Sequence, residues 1–419
     1  MSDARTASWT GTTPPEGVRI EPLDGGLANI EGLRFAAVAV GVRDSAHRDP
    51  SAPDLALLDV GRAVPAALVT TTNQVKAAPC LVGIEHVADG TVRAVIVNSG
   101  NANACTGPRG IDDARATTAA VAAALGCAAT DVVPMSTGVI GVPLPVGRIV
   151  DGVPGLASAL EDGVIAADGL ARAMMTTDSV PKQVAVRVHG GDGSVVVAGV
   201  AKGSGMIEPA MATMLSVIVT DAQLDSDACR EVLTAATERT FNRISVDSCG
   251  STNDTVLLIA TGTGGTVARD ALAAAVEQVA AALARMIVLD GEGVTRIARL
   301  RILGAPDQRA AREWGRAIAG SALFRTALHG SDPNWGRVLA AMGTTATRFD
   351  PALVDVRFGP ITVCRDGGAV PYDHAAAVAV LREQQVDIDV DLRSGPEETT
   401  FLVADLSAGY VQVNAEYTT

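Results

Sequence analysis

Aromatic side chains are scarce in this chain of 419 residues: Phe, Trp and Tyr together make up 3%, while hydrophobic residues reach 48%. A core of that size must be filled by Ala, Val, Leu and Ile, which suits helices packed closely on sheets. Positive charge is short too. The formal net charge of -14 leaves no surplus of cations for a phosphate backbone, which excludes nucleic acid as an expected partner. Histidine occurs only at His47, His86, His189, His329 and His374, too dispersed to suggest a serine triad or a metallohydrolase. The cysteines, Cys80, Cys105, Cys127, Cys229, Cys249 and Cys364, include no C-x-x-C pair, so neither zinc nor a disulfide framework is signalled and reduced thiols are expected. Glycine-x-glycine patterns at Gly203–Gly205 and within Gly262–Gly265 complete no dinucleotide or Walker fingerprint. No secretory leader opens the chain either: Met1–Gly17 is polar and reads as a loose tail. The alanine-rich run Ala271–Leu289 carries Glu277 and Arg285, which points to a core helix and away from a membrane span. The expectation is a cytoplasmic, small-molecule protein with no nucleic-acid or membrane partner and no required metal or cofactor.

Apolar, β-branched runs at Val92–Val97, Gln183–His189, Ser194–Val200, Met214–Val219 and Val256–Ala260 predict strands, as do Val354–Phe358, Val386–Leu392 and Thr400–Asp405 near the end. Helical spacing predicts Ile111–Leu125, closed by Gly126, then Asp225–Arg239, Ala271–Leu289 and Gln308–Ala327. Several strands follow one another too closely for helical crossovers, so the fold class is α/β with mixed or antiparallel sheets. The length fits two or three domains or one large interleaved unit.

Among segments that carry chemistry, Ala201–Leu215 places a small residue and a threonine, Ala212–Thr213, between a glycine-rich turn and an apolar strand. That dipeptide is compatible with an ordinary strand start. Cleavage of its peptide bond would instead give an amino-terminal threonine, whose hydroxyl is a nucleophile and whose α-amine, with an ordinary pKa of about 7.7 to 8.0, serves as its own general base. Such a nucleophile needs no histidine. The Met135–Gly141 segment combines Ser136, Thr137 and Gly138 in what reads as a turn where backbone and hydroxyl donors could meet an oxyanion. Asn98–Gly107 and Asp247–Thr255 are dense in amides and hydroxyls and suit either self-bonded loops or walls of a site. Cys249 has no neighbouring histidine to make it a thiolate nucleophile.

Taken in order, several motifs resemble the ornithine acetyltransferase family, also called bifunctional glutamate N-acetyltransferase, of the cyclic arginine pathway. They are Asn73–Pro79, Asn98–Gly107, Ser136–Gly141, Met175–Asp178, Lys202–Leu215, Ser251–Thr255, Asp290–Gly293, Ser331–Arg337 and Asn414–Thr419, so the resemblance covers most of the chain. It implies an α/β sandwich of the autoprocessing, aminopeptidase-like type and cleavage before Thr213, giving an α chain of residues 1–212 and a β chain of residues 213–419 that assemble as an α2β2 heterotetramer. By the same resemblance Thr213 is the acyl acceptor, and Thr137 with Gly138 stabilises the oxyanion. Thr176, Lys202, Thr213, Glu292, Asn414 and Thr419 would contact substrate, Lys202 meeting a carboxylate and Glu292 an ammonium. The implied substrates and products are N-acetylornithine, glutamate, ornithine and N-acetylglutamate. Acetyl-CoA stays open as a co-substrate, because the acidic Glu208 before Pro209 resembles monofunctional relatives of antibiotic biosynthesis, where bifunctional members often carry a small, neutral or histidine residue. Two other readings of the residues stand beside this one: an autoprocessed aminopeptidase or amidase on a related fold, and a binding protein whose threonine never becomes terminal.

Overall fold

The computed structural model describes residues 9–43, 49, 51–190, 193–208 and 214–416. Two sheets organise them. The larger, nine-stranded sheet runs Arg19–Leu23, Lys182–Gly190, Gly193–Lys202, Leu215–Thr220, Thr255–Ala260, Leu55–Thr70, Thr91–Asn101 and Val132–Val139, with Arg34–Val38 paired onto Leu55–Thr70. The smaller has seven strands, in the order Gly368–Ala369, Ile361–Arg365, Asp355–Phe358, Gln385–Asp391, Ile297–Ala305, Glu397–Ala404 and Ile244–Ser245. Both mix parallel with antiparallel pairs, as the close strand spacing predicts.

Strand periodicity explains the layers. In Lys182–Gly190, Val184, Val186 and Val188 enter the core shared with helices Ser226–Arg239 and Arg269–Leu289, while Ala185 points to the opposite core, with helix Val164–Met174. Side chains alternate across the pleat, so one face of these strands meets two helices and the other a core that Val164–Met174 shares with Val95 and Val97 of Thr91–Asn101 and Val133 and Met135 of Val132–Val139. Every residue of Leu215–Thr220 and Thr255–Ala260 is buried. Helix Arg269–Leu289 is long and apolar enough to cross a membrane by composition, yet it packs in the same core as Ile244, Ile297 and Leu402 of the smaller sheet. It is the core helix that Glu277 and Arg285 predict.

The other expected helices are present with informative shifts. Ile111–Leu125 begins earlier, at Gly107, because Pro108 sits in the first turn, where its missing N–H costs nothing. Gly126 closes it at φ 68°, a conformation that glycine adopts without strain. Gln308–Ala327 is not one helix. It divides into Gln308–Ala319 and Ala322–Gly330, and the Ser321 hydroxyl restarts the second by accepting from the Phe324 N–H at 3.3 Å. The Met1–Gly17 tail is also tied down within its described part: Trp9 is buried and its indole N–H donates to the Ala281 carbonyl at 2.8 Å. All six cysteines are free.

Helix Gln308–Ala319 packs so closely on the smaller sheet that a Cβ at Gly315 would lie 2.2 Å from Phe401 Cε2. Gly315→Ala is expected to lower unfolding stability by about 1–3 kcal/mol through overpacking; an unchanged denaturant midpoint would show that the contact is slack.

Candidate active site

Strand ends of the larger sheet bring the chemistry-bearing segments together. Thr91–Asn101 and Val132–Val139 run parallel and end side by side, while Gly193–Lys202 ends where Leu215–Thr220 and Thr255–Ala260 begin, with Leu215 in register with both Lys202 and Thr255. The two groups meet through Lys202 and Asn253, which donate to the Thr137 hydroxyl and the Ser136 carbonyl, around a cavity of about 70 Å³ lined by Thr137, Gly138, Thr176, Lys202, Glu292 and Asn414, together with Ser251, Thr252 and Asn253. A larger cavity of about 560 Å³, bordered by Leu23, Asp24, Gln183 and Met286, contains none of the predicted residues.

Ser136, Thr137 and Gly138 form the end of a strand, and not the free turn that the sequence predicts. Pairing with Thr91–Asn101 becomes irregular at Gly100 and Asn101, and Gly138 takes φ 133°. A Cβ there would lie 2.3 Å from the Gly100 carbonyl carbon, so only glycine allows the two backbones this approach. Asn98–Asn101, expected as loop, continues the neighbouring strand. Asn98 accepts from the Ser136 hydroxyl at 2.5 Å and donates to the Asn101 carbonyl at 2.8 Å, while Ala102 reaches the cavity. The segment is therefore both self-bonded and a wall.

Lys202 is no solvated surface charge, being 2% exposed. Its Nζ donates to Thr176 Oγ1 at 2.7 Å and to Thr137 Oγ1 at 3.2 Å, and lies 3.8 Å from Asp178 Oδ2. Burial pulls its ammonium below the ordinary lysine range, with Lys182 adding to the effect and Asp178 opposing it. Behind it lies a network that sequence reasoning missed. Lys182 is fully buried and bridges Asp178 at 2.7 Å and Asp290 at 2.6 Å. Asp178 also accepts the N–H groups of Thr176 and Gly203, at 3.0 and 2.7 Å. Burial works against the Asp178 carboxylate, but Lys202 and Lys182 outweigh it and hold its pKa well below the usual range. The available signal was an Asp and a Lys four residues apart beside an apolar strand.

Glu292 is half-buried and its Oε2 accepts from Asn414 Nδ2 at 2.8 Å. Asn414 belongs to the terminal helix Ala408–Glu416, so this part of the terminus folds over the cavity. Ala212, Thr213 and Thr419 lie outside the described residues. The flanking Met214 is held from both sides, its N–H donating to Asp254 Oδ1 at 2.9 Å and its carbonyl accepting from the Thr255 N–H at 3.1 Å. Cys249 is exposed, but desolvation and the carboxylates of Asp247 and Glu208 push its thiol pKa up, which opposes a thiolate role.

Fold and cavity define a class: a layered, mixed-sheet α/β protein with a small polar pocket holding a buried ammonium, a carboxylate and several hydroxyls among the strand ends of one sheet. A family model described as the ArgJ family matches residues 34–419, and the chain belongs to that family. Similar proteins include the arginine biosynthesis bifunctional protein ArgJ of Geobacter sulfurreducens, 41% identical over 93% of this chain and 100% of that protein. Its namesake from Thermobifida fusca is 44% identical, over 93% of this chain and 98% of that one. Among solved structures, an ornithine acetyltransferase complexed with ornithine from Mycobacterium tuberculosis is 41% identical, covering 47% of this chain and 99% of that one, with a TM-score of 0.41.

Near the cavity, burial pushes the Glu208 carboxyl up to about 7, against the opposing hydrogen bond from Ser245 Oγ at 3.0 Å and the attraction of Arg316. Its folded pKa thus lies above the ordinary 4.5, so folding is favoured below that value and the advantage fades as pH rises through about 7. Glu208→Gln is expected to remove this slope. Its unfolding free energy should gain on that of the wild type between about pH 4.5 and about pH 7, by up to about 3 kcal/mol; parallel curves for the two proteins would refute the assignment.

Proposed function

We propose that this chain is an autoprocessed acetyltransferase that moves acetyl from N2-acetyl-L-ornithine to L-glutamate through an acetyl-threonine ester, in arginine biosynthesis. The observation that carries the proposal is convergence. Thr137, Gly138, Thr176, Lys202, Glu292 and Asn414, drawn from separate segments, line one cavity, and Lys202 is in register with Leu215, where the strand following Thr213 begins. Family membership and relatives named as arginine biosynthesis bifunctional proteins support the same reading.

In this proposal the precursor cleaves between Ala212 and Thr213, giving an α chain of residues 1–212 and a β chain of residues 213–419 that assemble as an α2β2 heterotetramer in the cytoplasm. The Thr213 α-amine takes the proton from its own Oγ as that oxygen attacks the acetamide carbon of N-acetylornithine. Thr137 and Gly138 face the developing oxyanion, where each well-placed donor is worth about 3 kcal/mol. The C–N bond breaks and ornithine leaves with the proton. The glutamate amine then attacks the ester, Thr213 Oγ is released, and N-acetylglutamate departs. Lys202 and Thr176 serve the substrate α-carboxylate, Glu292 meets a substrate ammonium, and Asn414 and Thr419 close the site from the terminus. One amide replaces another, so neither metal nor nucleotide is required. The word bifunctional in the relatives' name supports acetyl-CoA as a second donor.

Thr213→Ala is expected to yield one unprocessed 42.6 kDa chain with no transfer, where the wild type gives two chains and glutamate-dependent release of ornithine from N-acetylornithine. Two bands from the variant, or hydrolysis by the wild type with no dependence on glutamate, would overturn the proposal. Parallel assays with acetyl-CoA decide the donor range.

A further inference from the structure

Between the two sides of the site runs a dipeptide with no role in the chemistry above. Asn253 and Asp254 are consecutive and both buried, and they reach opposite parts of the site. The Asn253 side-chain N–H groups donate to the Ser136 carbonyl at 2.8 Å and to the Ala102 carbonyl at 2.6 Å. That grip falls one residue before Thr137. Asp254 Oδ1 accepts the Met214 N–H at 2.9 Å, one residue after Thr213. The dipeptide is itself fixed: the Thr71 N–H donates to the Asp254 carbonyl at 2.9 Å, the Asn253 N–H to Ser251 Oγ at 3.0 Å, and Thr255 Oγ1 to the Asn253 carbonyl at 2.9 Å.

We propose that Asn253 and Asp254 are a pair of positioning residues that set the separation between the oxyanion-stabilising strand end and the nucleophile, and that Asp254 acts there as a neutral carboxylic acid. The inference rests on the function proposed above. Catalysis by proximity requires the attacking oxygen and the oxyanion donors to keep one mutual geometry, and here a single pair of adjacent residues joins Ser136 and Met214, the residues next to each in sequence. Neutrality follows from the environment. Asp254 is 0% exposed, and its Oδ2 has no hydrogen-bond partner among the described residues, although the hydroxyls of Thr71 and Ser251 lie close enough to favour its charged form. An ionised carboxylate with an unpartnered oxygen in such a place is costly, and burial moves its pKa well above the ordinary value despite the attraction of Lys202.

Three variants of the full precursor test this: Asp254→Asn, Asp254→Ala and Asn253→Ala, each assayed for chain cleavage on a denaturing gel and for kcat and KM of acetyl transfer. Asparagine keeps the acceptor for Met214 and carries no charge. Asp254→Asn should therefore cleave and turn over within about threefold of the wild type, whereas the two alanine variants should lose at least about thirtyfold in kcat with KM within about threefold. Alanine variants close to the wild type in both assays would overturn the proposal. So would a folded Asp254→Asn as impaired as Asp254→Ala, because an ionisable proton would then be essential; that comparison also decides the matter if an alanine variant fails to fold. Should the wild type cleave but transfer no acetyl, the proposed function fails and positioning is read from cleavage alone. Asparagine cleaving while alanine stays full-length then upholds it, and equal cleavage in all variants overturns it.

Discussion

The site depends on the Asp178 carboxylate. Two buried ammonium groups, Lys182 and Lys202, lie beside it, and its oxygens also tie down the N–H groups of Thr176 and Gly203. Lysines this deep would ordinarily cost several kcal/mol each in lost hydration. With Asp290 on the far side of Lys182 the cluster is formally neutral, two cations against two anions, and that balance is what permits a charged group in the floor of a small cavity. The same carboxylate couples two walls. Because it holds the backbone at residues 176 and 203, the Lys202 side chain and the hydroxyl it contacts at Thr176 cannot drift apart independently. Removing one member of such a buried set typically costs about 3–5 kcal/mol, so the geometry around Lys202 is protected by stability as well as by packing.

Sheet order adds a second constraint. Leu215–Thr220 lies between Gly193–Lys202 and Thr255–Ala260, and the last of these pairs with Leu55–Thr70. Strands that follow residue 213 are therefore inserted between strands that precede it. A cut at Ala212–Thr213 would leave both products hydrogen-bonded through the middle of one sheet, between two buried cores. Separation would require breaking two strand interfaces in which Leu215–Thr220 and Thr255–Ala260 are buried at every residue, so cleavage here would create a new terminus without creating two independent molecules. Thr71 shows this locally: its N–H, before the proposed cut, donates to the Asp254 carbonyl beyond it at 2.9 Å.

Strands and helices with clear period were legible because the physics that forms them is local. Val184, Val186 and Val188 alternate with Ala185 in sequence as they do across the two cores, and Gly126 marks a helix end by conformation alone. The glycine and serine at positions 320 and 321 also carried a local signal, that of a helix stopping and restarting, although the apolar period around them reads as continuous. Asn98–Asn101 and Ser136–Gly138 misled for a different reason. Their polar composition suits turns, but each is paired with the other across about forty residues of sequence, and no local propensity reports a partner that distant. The motif resemblance placed Thr137, Gly138, Thr176, Lys202, Glu292 and Asn414 in one set, whereas the Lys182 and Asp290 contacts are visible only when strand and helix ends are brought together.

A single cation bears on the order of events. Lys202 is the one cation among the described residues that line the cavity. Donor and acceptor in the proposed reaction both present an α-carboxylate and differ mainly in the group at the far end, so one ammonium floor at Lys202 can serve each in turn. An enzyme that serves both carboxylates with one ammonium must hold the acetyl group on itself while the first amino acid leaves and the second enters. A covalent ester meets that requirement, and the alternative of direct transfer between two bound substrates would need a second cation for the second carboxylate.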